Sequence, residues 1–312
     1  MAIDVLAVVG PTASGKTRRA VSLARAFGGE IISADSRQVY RRMDIGTGKD
    51  LDEYGDVPVH LVDVCEAGEK YNLHRYLSDF TRARNDISSR GRLPVVCGGS
   101  GMYVEAALSG IVMPEVPCDP RLRESLAGKS LTELASILGG MKQLHNVTDI
   151  DTPARAVRAI EIATYYASNP GAARLADRAV ASPLNAVVIG IDIPRDLRRQ
   201  RIDIRLDARL EQGMVEEVRA LLDSGLTPDD LIYYGLEYKF LTLYVTGKLT
   251  RGQMRDGLAT AIHQFAKRQM TWFRGMERRG FHINWLPYDM REDEFTEAVA
   301  DLISEKNNYP NK

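Results

Sequence analysis

Residues 10–17 read Gly10-Pro11-Thr12-Ala13-Ser14-Gly15-Lys16-Thr17, a complete G-x-x-x-x-G-K-T phosphate loop. An apolar run, Val5-Leu6-Ala7-Val8-Val9, leads into it, and a helix-like stretch from Arg18 to Phe27 leads out. Strand, glycine loop and helix in that order bring backbone N–H groups and a helix N-terminus to bear on one anionic phosphate. Gly10 and Gly15 permit close backbone approach, Lys16 supplies a point charge, and Thr17 offers a hydroxyl to Mg²⁺. A chance glycine-rich turn is the competing explanation, and the flanking strand and helix argue against it. The motif therefore demands a parallel α/β core with a bound di- or triphosphate at its edge.

The rest of the chain is consistent with such a core. Its 312 residues suffice for one large domain and a smaller one. Strand patterns at Ile3–Val9, Glu30–Ala34, Val59–Val64 and Leu93–Cys97 alternate with helical ones, so the expected fold is a P-loop NTPase-like parallel sheet flanked by helices. The pattern breaks at Met113-Pro114-Glu115-Val116-Pro117. Polar helical stretches follow, at Ser130–Leu138 and Pro153–Ala167, with no strand among them. Residues 116–183 are thus expected to form a helical insertion between a first core segment, 1–115, and its completion, 184–312. That completion holds a strand at Ala186–Ile193, helical patterns at Arg195–Leu222 and Arg251–Arg274, and a short strand at Phe281–Leu286 before a final helix. The tail Glu305–Lys312 reads as disordered.

Composition excludes several classes. A net charge of −1 means that nucleic-acid binding would need a local basic patch. No apolar stretch approaches ~20 residues, and no signal-peptide pattern opens the chain, so a cytoplasmic protein without membrane association is expected. Cys65, Cys97 and Cys118 lack C-x-x-C spacing, which argues against zinc or a disulfide framework.

Beyond the loop, four segments carry candidate chemistry. The strand Glu30–Ala34 ends in Asp35-Ser36-Arg37-Gln38, where Asp35 is either a metal-water ligand or a general base, or else a helix cap. Leu93-Pro94-Val95-Val96-Cys97-Gly98-Gly99-Ser100-Gly101 is a second strand opening into a glycine loop, with Ser100 free to hydrogen-bond a ligand. On the helix through residues 264–274, Leu258, Ile262, Phe265, Trp272 and Phe273 are expected on one apolar face. Lys267, Thr271 and Arg274 fall opposite as a basic stripe, which Arg278 and Arg279 extend, while Gln269 lands among the apolar positions and must find a partner. Arg201 and Arg205, four residues apart, either join a surface network with Asp203 and Glu211 or converge on a departing diphosphate.

Together these segments resemble the tRNA dimethylallyltransferase (isopentenyl-diphosphate transferase) family. The resemblance rests on GPTASGKT at 10–17, EIISADSRQVYRRMDIGTGK at 30–49, PVVCGGSGMYVEAALSG at 94–110, RAVRAIEI at 155–162, RIDIRLDARLEQGMVEEVRALL at 201–222 and AKRQMTWFRG at 266–275. It implies transfer of a dimethylallyl group from dimethylallyl diphosphate to N6 of the adenosine 3′ of a tRNA anticodon. By position, Asp35 would accept the N6 proton, and Gly10 to Thr17 with Arg205 and Mg²⁺ would hold the diphosphate. Asp35, Ser36, Arg37, Gln38, Ser100, Arg123, Arg155, Arg158, Lys267, Arg268, Gln269 and Arg274 would face the anticodon stem-loop. A monomer is expected. The sequence departs from the family pattern at Asp151-Thr152-Pro153, at Gly235-Leu236-Glu237-Tyr238-Lys239, and at Ser100, where a threonine is usual. An adenylate isopentenyltransferase acting on free AMP, ADP or ATP is the alternative; the basic helix and the insertion speak for tRNA.

Overall fold

The computed structural model describes residues 3–111, 113, 115–141, 150–173 and 182–308. It divides into two compact units, residues 1–110 with 183–312, and residues 111–182.

The larger unit is built on six parallel strands. In chain order its elements are β1 (Val5–Val9), α1 (Lys16–Phe27), β2 (Gly29–Ser33), β3 (Val59–His60), α2 (Leu73–Ser89), β4 (Leu93–Gly98) and α3 (Gly101–Leu108). The smaller unit contributes α4 (Pro120–Leu126), α5 (Leu131–Met141) and α6 (Pro153–Ser168). The larger unit then resumes with β5 (Ala186–Asp192), α7 (Arg195–Glu211), α8 (Met214–Asp223), α9 (Pro228–Tyr233), α10 (Leu236–Val245), α11 (Arg251–Arg278), β6 (Ile283–Pro287) and α12 (Glu292–Asn308). The strand order is β3-β2-β4-β1-β5-β6, with every ladder parallel.

All five β1 residues are buried because helices cover both faces of the sheet, which is why the strand reads as a continuous apolar run. Val5, Ala7 and Val9 pack toward α2, α3 and α8 to α11, whereas Leu6 and Val8 pack toward α1 and α12. The order also sets the site. The loops after β1, β4 and β2 lie side by side at the carboxyl edge, and α7 starts from β5 on the other side of β1. In such sheets that edge is where ligands bind.

Two expectations need correction, and one pair of helices goes beyond them. The pattern from Arg195 to Leu222 is two helices, because Gly213 adopts φ 100 and caps a new one. The helices α9 and α10 were not anticipated. Residues 305–308 continue α12 and are not disordered, while 309–312 lie outside the described residues. Among the described residues no helix is long and apolar enough to cross a membrane.

The smaller unit has its own apolar core of Leu126, Leu134, Leu138, Ala156, Ala159 and Ile160. The departure at Asp151-Thr152-Pro153 is a helix start. Thr152 accepts from the Arg155 N–H, Pro153 takes a first-turn position, and Asp151 pairs with Arg155.

Candidate phosphate-loop site

The site is organised around Gly10–Thr17. Gly15 caps α1 at φ 84 without any side-chain cap bond, so the first N–H groups of the helix are left to a ligand. Ala13 is also left-handed, at φ 63. A Cβ at Gly10 would come within 2.8 Å of the Ser14 hydroxyl, which is buried with no hydrogen-bond partner. Burial pushes the Lys16 ammonium below the usual lysine range, and Cys97 and Asp35 nearby pull it back. Thr17 lies against the Cys97 thiol, which burial raises to about 11. That thiol is inert packing.

Because β5 lies beside β1, α7 lays Arg205 against the loop, where its guanidinium hydrogen-bonds the Thr12 hydroxyl. Burial lowers the Arg205 pKa to about 10, helped by the like charge of Arg209. Arg201 does not converge with it; its guanidinium stacks 4.8 Å from the Tyr288 ring. Asp203 joins no arginine network among the described residues either; its carboxylate accepts from His263 Nε2–H at 2.8 Å.

Arg209 is a site residue that the sequence reading missed. It donates to Asp50 at 2.9 Å, and its guanidinium occupies the space that a Cβ at Gly48 would take. Its signal was the continued four-residue spacing from Arg201 through Arg205. Glu237 was missed too. Burial pushes its carboxyl up, and Arg209, Arg205 and Asp35 are its charged neighbours. The altered Gly235–Lys239 stretch thus reaches the site.

Asp35 follows β2 with one oxygen accepting the Arg37 N–H at 2.9 Å. It therefore does cap its own turn, and the second oxygen is left for other chemistry. Ser100 takes the Ser36 N–H at 3.1 Å and so joins the β4 loop to the Asp35 loop. Gln38 is turned inward, donating to Gly48 O at 2.9 Å and accepting from Ser33 at 3.1 Å. Arg37 lies over the Tyr233 ring. Lys49, the last residue of the 30–49 stretch, is buried on Asp44, Asp63 and the Tyr40 carbonyl, a structural pin.

From α11, Gln269 closes the edge. Its Oε1 accepts the Thr12 N–H at 2.8 Å and its Nε2 donates to Gly99 O at 2.9 Å. The buried amide thus ties the phosphate loop to the β4 loop. Phe265 and Trp272, expected in the apolar face, are 38% and 41% exposed. Trp272 donates to Glu105 and its ring presses on Gly101, so contacts with α3 replace core packing. Lys267, Arg268 and Arg274 are exposed, and among the described residues none has a salt-bridge partner. In the smaller unit, Arg123 and Arg158 both close on the buried Glu161, and Arg158 also donates to Val116 O at 2.7 Å. Burial opposes the Glu161 charge, but those bonds and the Asp119 N–H hold its pKa at about 2.

No group of three His, Cys, Asp or Glu among the described residues could hold a metal. The protein offers one hydroxyl, Thr17, which suits a Mg²⁺ brought in by phosphate oxygens and water.

Comparison with known proteins agrees with this architecture. Residues 38–276 match the family described as IPP transferase, and residues 3–55 match isopentenyl transferase. A tRNA dimethylallyltransferase 1 of Porphyromonas gingivalis is 57% identical over 304 residues, 96% of this chain and 99% of that one. The one of Parabacteroides distasonis is 54% identical, covering 93% and 94%. By structure, the tRNA isopentenylpyrophosphate transferase of Bacillus halodurans is similar with a TM-score of 0.72 and 30% identity over 99% of both chains. A eukaryotic dimethylallyltransferase acting on tRNA shares the fold, with a TM-score of 0.80 at 23% identity, covering 99% of this chain and 80% of that one. This chain belongs to the IPP transferase family.

Proposed function

We propose that this chain, acting as a monomer, transfers a dimethylallyl group from dimethylallyl diphosphate to N6 of the adenosine 3′ of a tRNA anticodon, releasing diphosphate. One observation carries the reading: the loop that suits a diphosphate and the loop that bears Asp35 flank the same β4 loop, joined by Gln269 and Ser100. The names of the relatives support the acceptor.

In this reaction the allylic C1–O bond breaks and the N6–C1 bond forms. Negative charge develops on the diphosphate, where the N–H groups of 13–17, Lys16 and Arg205 stabilise it. Thr17 would hold Mg²⁺, which supplies further charge neutralisation. Adenine N6 is a weak nucleophile inside a stacked loop, so the base must be extruded, at a cost of a few kcal/mol. The uncommitted Asp35 oxygen then takes the N6 proton. Ser36, Arg37, Ser100, Lys267, Arg268 and Arg274 would meet the RNA, and Arg123, Arg155 and Arg158 keep outer faces that it can reach.

Purified protein given labelled dimethylallyl diphosphate and Mg²⁺ should label unmodified tRNA and leave AMP unlabelled. Labelled AMP with unlabelled tRNA would overturn the acceptor assignment.

A further inference from the structure

The packing of α7 against α11 changes character along its length. Toward the middle of α7 the cross-helix pairs are complementary: Asp203 with His263 at 2.8 Å, and Asp207 with Arg255 at 2.8 Å. Toward its start the complement is missing. There Arg198 is half-buried, three residues along the helix from Arg195, and the charges that bear on it are the like charges of Arg195 and Arg274. Its Nε is shut off from solvent and has no hydrogen-bond partner. None of the three arginines has a salt bridge among the described residues, and α7 itself starts without a side-chain cap.

A desolvated donor facing two like charges is unfavourable by itself, and an anion is the species that relieves both defects at once. Burial and the two neighbouring cations together lower the Arg198 pKa, the same imbalance seen from the proton.

We propose that Arg198, Arg195 and Arg274 form a phosphate-binding site, and that its occupant is a backbone phosphate of the tRNA. The inference rests on the tRNA reading given above. Two features decide between tRNA and the diphosphate as the source of the phosphate. Arg198 and Arg205 are seven residues apart and so share one face of α7, separated by about 10 Å of helix. Arg205 is engaged at Thr12, whereas Arg198 feels the charge of Arg274 on α11, which shares a face with exposed Lys267, again seven residues away. A single diphosphate held in the loop does not reach that stripe. A strand with a phosphate on every nucleotide does.

Arg198→Gln keeps the stem and hydrogen-bonding capacity but removes the charge. Equilibrium binding of unmodified tRNA would be measured across a salt series, alongside binding of inorganic diphosphate and a thermal melt. The expected results are a tRNA affinity lower by about 3- to 10-fold and a slope of log affinity against log salt shallower by about 0.7–0.9, the value of one phosphate contact. Diphosphate affinity should be unchanged, and the melting temperature equal or higher, because a like-charge contact is removed. Arg198→Lys, which keeps the charge, should retain the wild-type slope. An unchanged slope in Arg198→Gln, or a loss of diphosphate affinity in its place, overturns the assignment. Wild-type protein that does not bind tRNA would instead overturn the functional reading on which it rests.

Discussion

The cations around the phosphate loop and along the exposed face of α11 are used in the opposite way to those of the helical unit. At the carboxyl edge of the sheet, Lys16, Arg205, Lys267 and Arg274 have no salt-bridge partner among the described residues, and Arg205 rests on a loop hydroxyl instead. In the helical unit, Arg123 and Arg158 converge on Glu161, and Arg155 on Asp151. A cation paired with a carboxylate of the fold builds structure; a cation left without one is open to a ligand. The first kind costs stability when it is removed, and the second costs binding or turnover.

The sharpest way to break this comparison is at Asp35, the anion on the ligand side. Asp35→Asn preserves the acceptor for the Arg37 N–H but cannot take a proton. Turnover is expected to fall on the order of 10²–10⁴-fold with tRNA affinity nearly intact. Near-normal turnover would reduce Asp35 to a turn cap. Next in size is Gln269→Leu. It leaves the Thr12 N–H and the Gly99 carbonyl without their partner and should slow transfer by about 10-fold or more, since the phosphate loop loses its register with the β4 loop. Chemical denaturation should show a stability loss of about 1–3 kcal/mol. A variant that melts early but transfers at the wild-type rate at low temperature would make Gln269 purely structural.

On the structural side, Glu161→Gln removes the shared carboxylate of Arg123 and Arg158. Those guanidiniums are 46% and 38% exposed, so solvent cushions the loss, and about 1–2 kcal/mol is expected. Denaturation monitored by Tyr165 and Tyr166 in the helical unit, alongside tRNA affinity, separates the roles. An unchanged stability with altered tRNA affinity would mark the pair as ligands. The smallest effect is acid sensitivity. Hydrogen bonds from Arg90 and His60 hold Glu30 at about 2, overcoming its burial, and Glu161 sits at the same value. Both are depressed in the folded state, so their stabilisation is complete above the ordinary carboxylate pKa of 4.5 and drains away as pH falls through about 2. Melting temperatures between pH 5 and pH 2 should drop more shallowly in Glu161→Gln than in the wild type.

The same contrast explains what could be read from the sequence. The phosphate loop was legible because its function lies in backbone geometry, and glycines at fixed offsets announce that geometry locally. The parallel sheet was legible because strands buried on both faces must be continuously apolar, as Val5–Val9 is. Gln269 was legible as a conflict, an amide at an apolar position, and its two backbone partners resolved it. By contrast, Arg123 reaches Glu161 from 38 positions away, and no local pattern announces that pairing, whereas Arg158 is three residues from Glu161 on the same helix. Arg209 and Glu237 were hidden for a similar reason: the first looks like any exposed helical arginine until Gly48 makes room for it. The helical wheel misplaced Trp272 because that ring packs on α3 at Gly101, a contact that a wheel does not contain, and it misplaced Phe265, which lies 38% exposed beneath Arg268.

The central claim is that this phosphate loop serves a leaving group in alkyl transfer. The direct test is stoichiometry: purified protein, Mg²⁺, dimethylallyl diphosphate and unmodified tRNA, with inorganic diphosphate and modified adenosine counted in the same reaction. The account predicts one diphosphate released per N6-dimethylallyladenosine formed, and none above background without tRNA. Orthophosphate released from added ATP, with no alkylated adenosine, would contradict it.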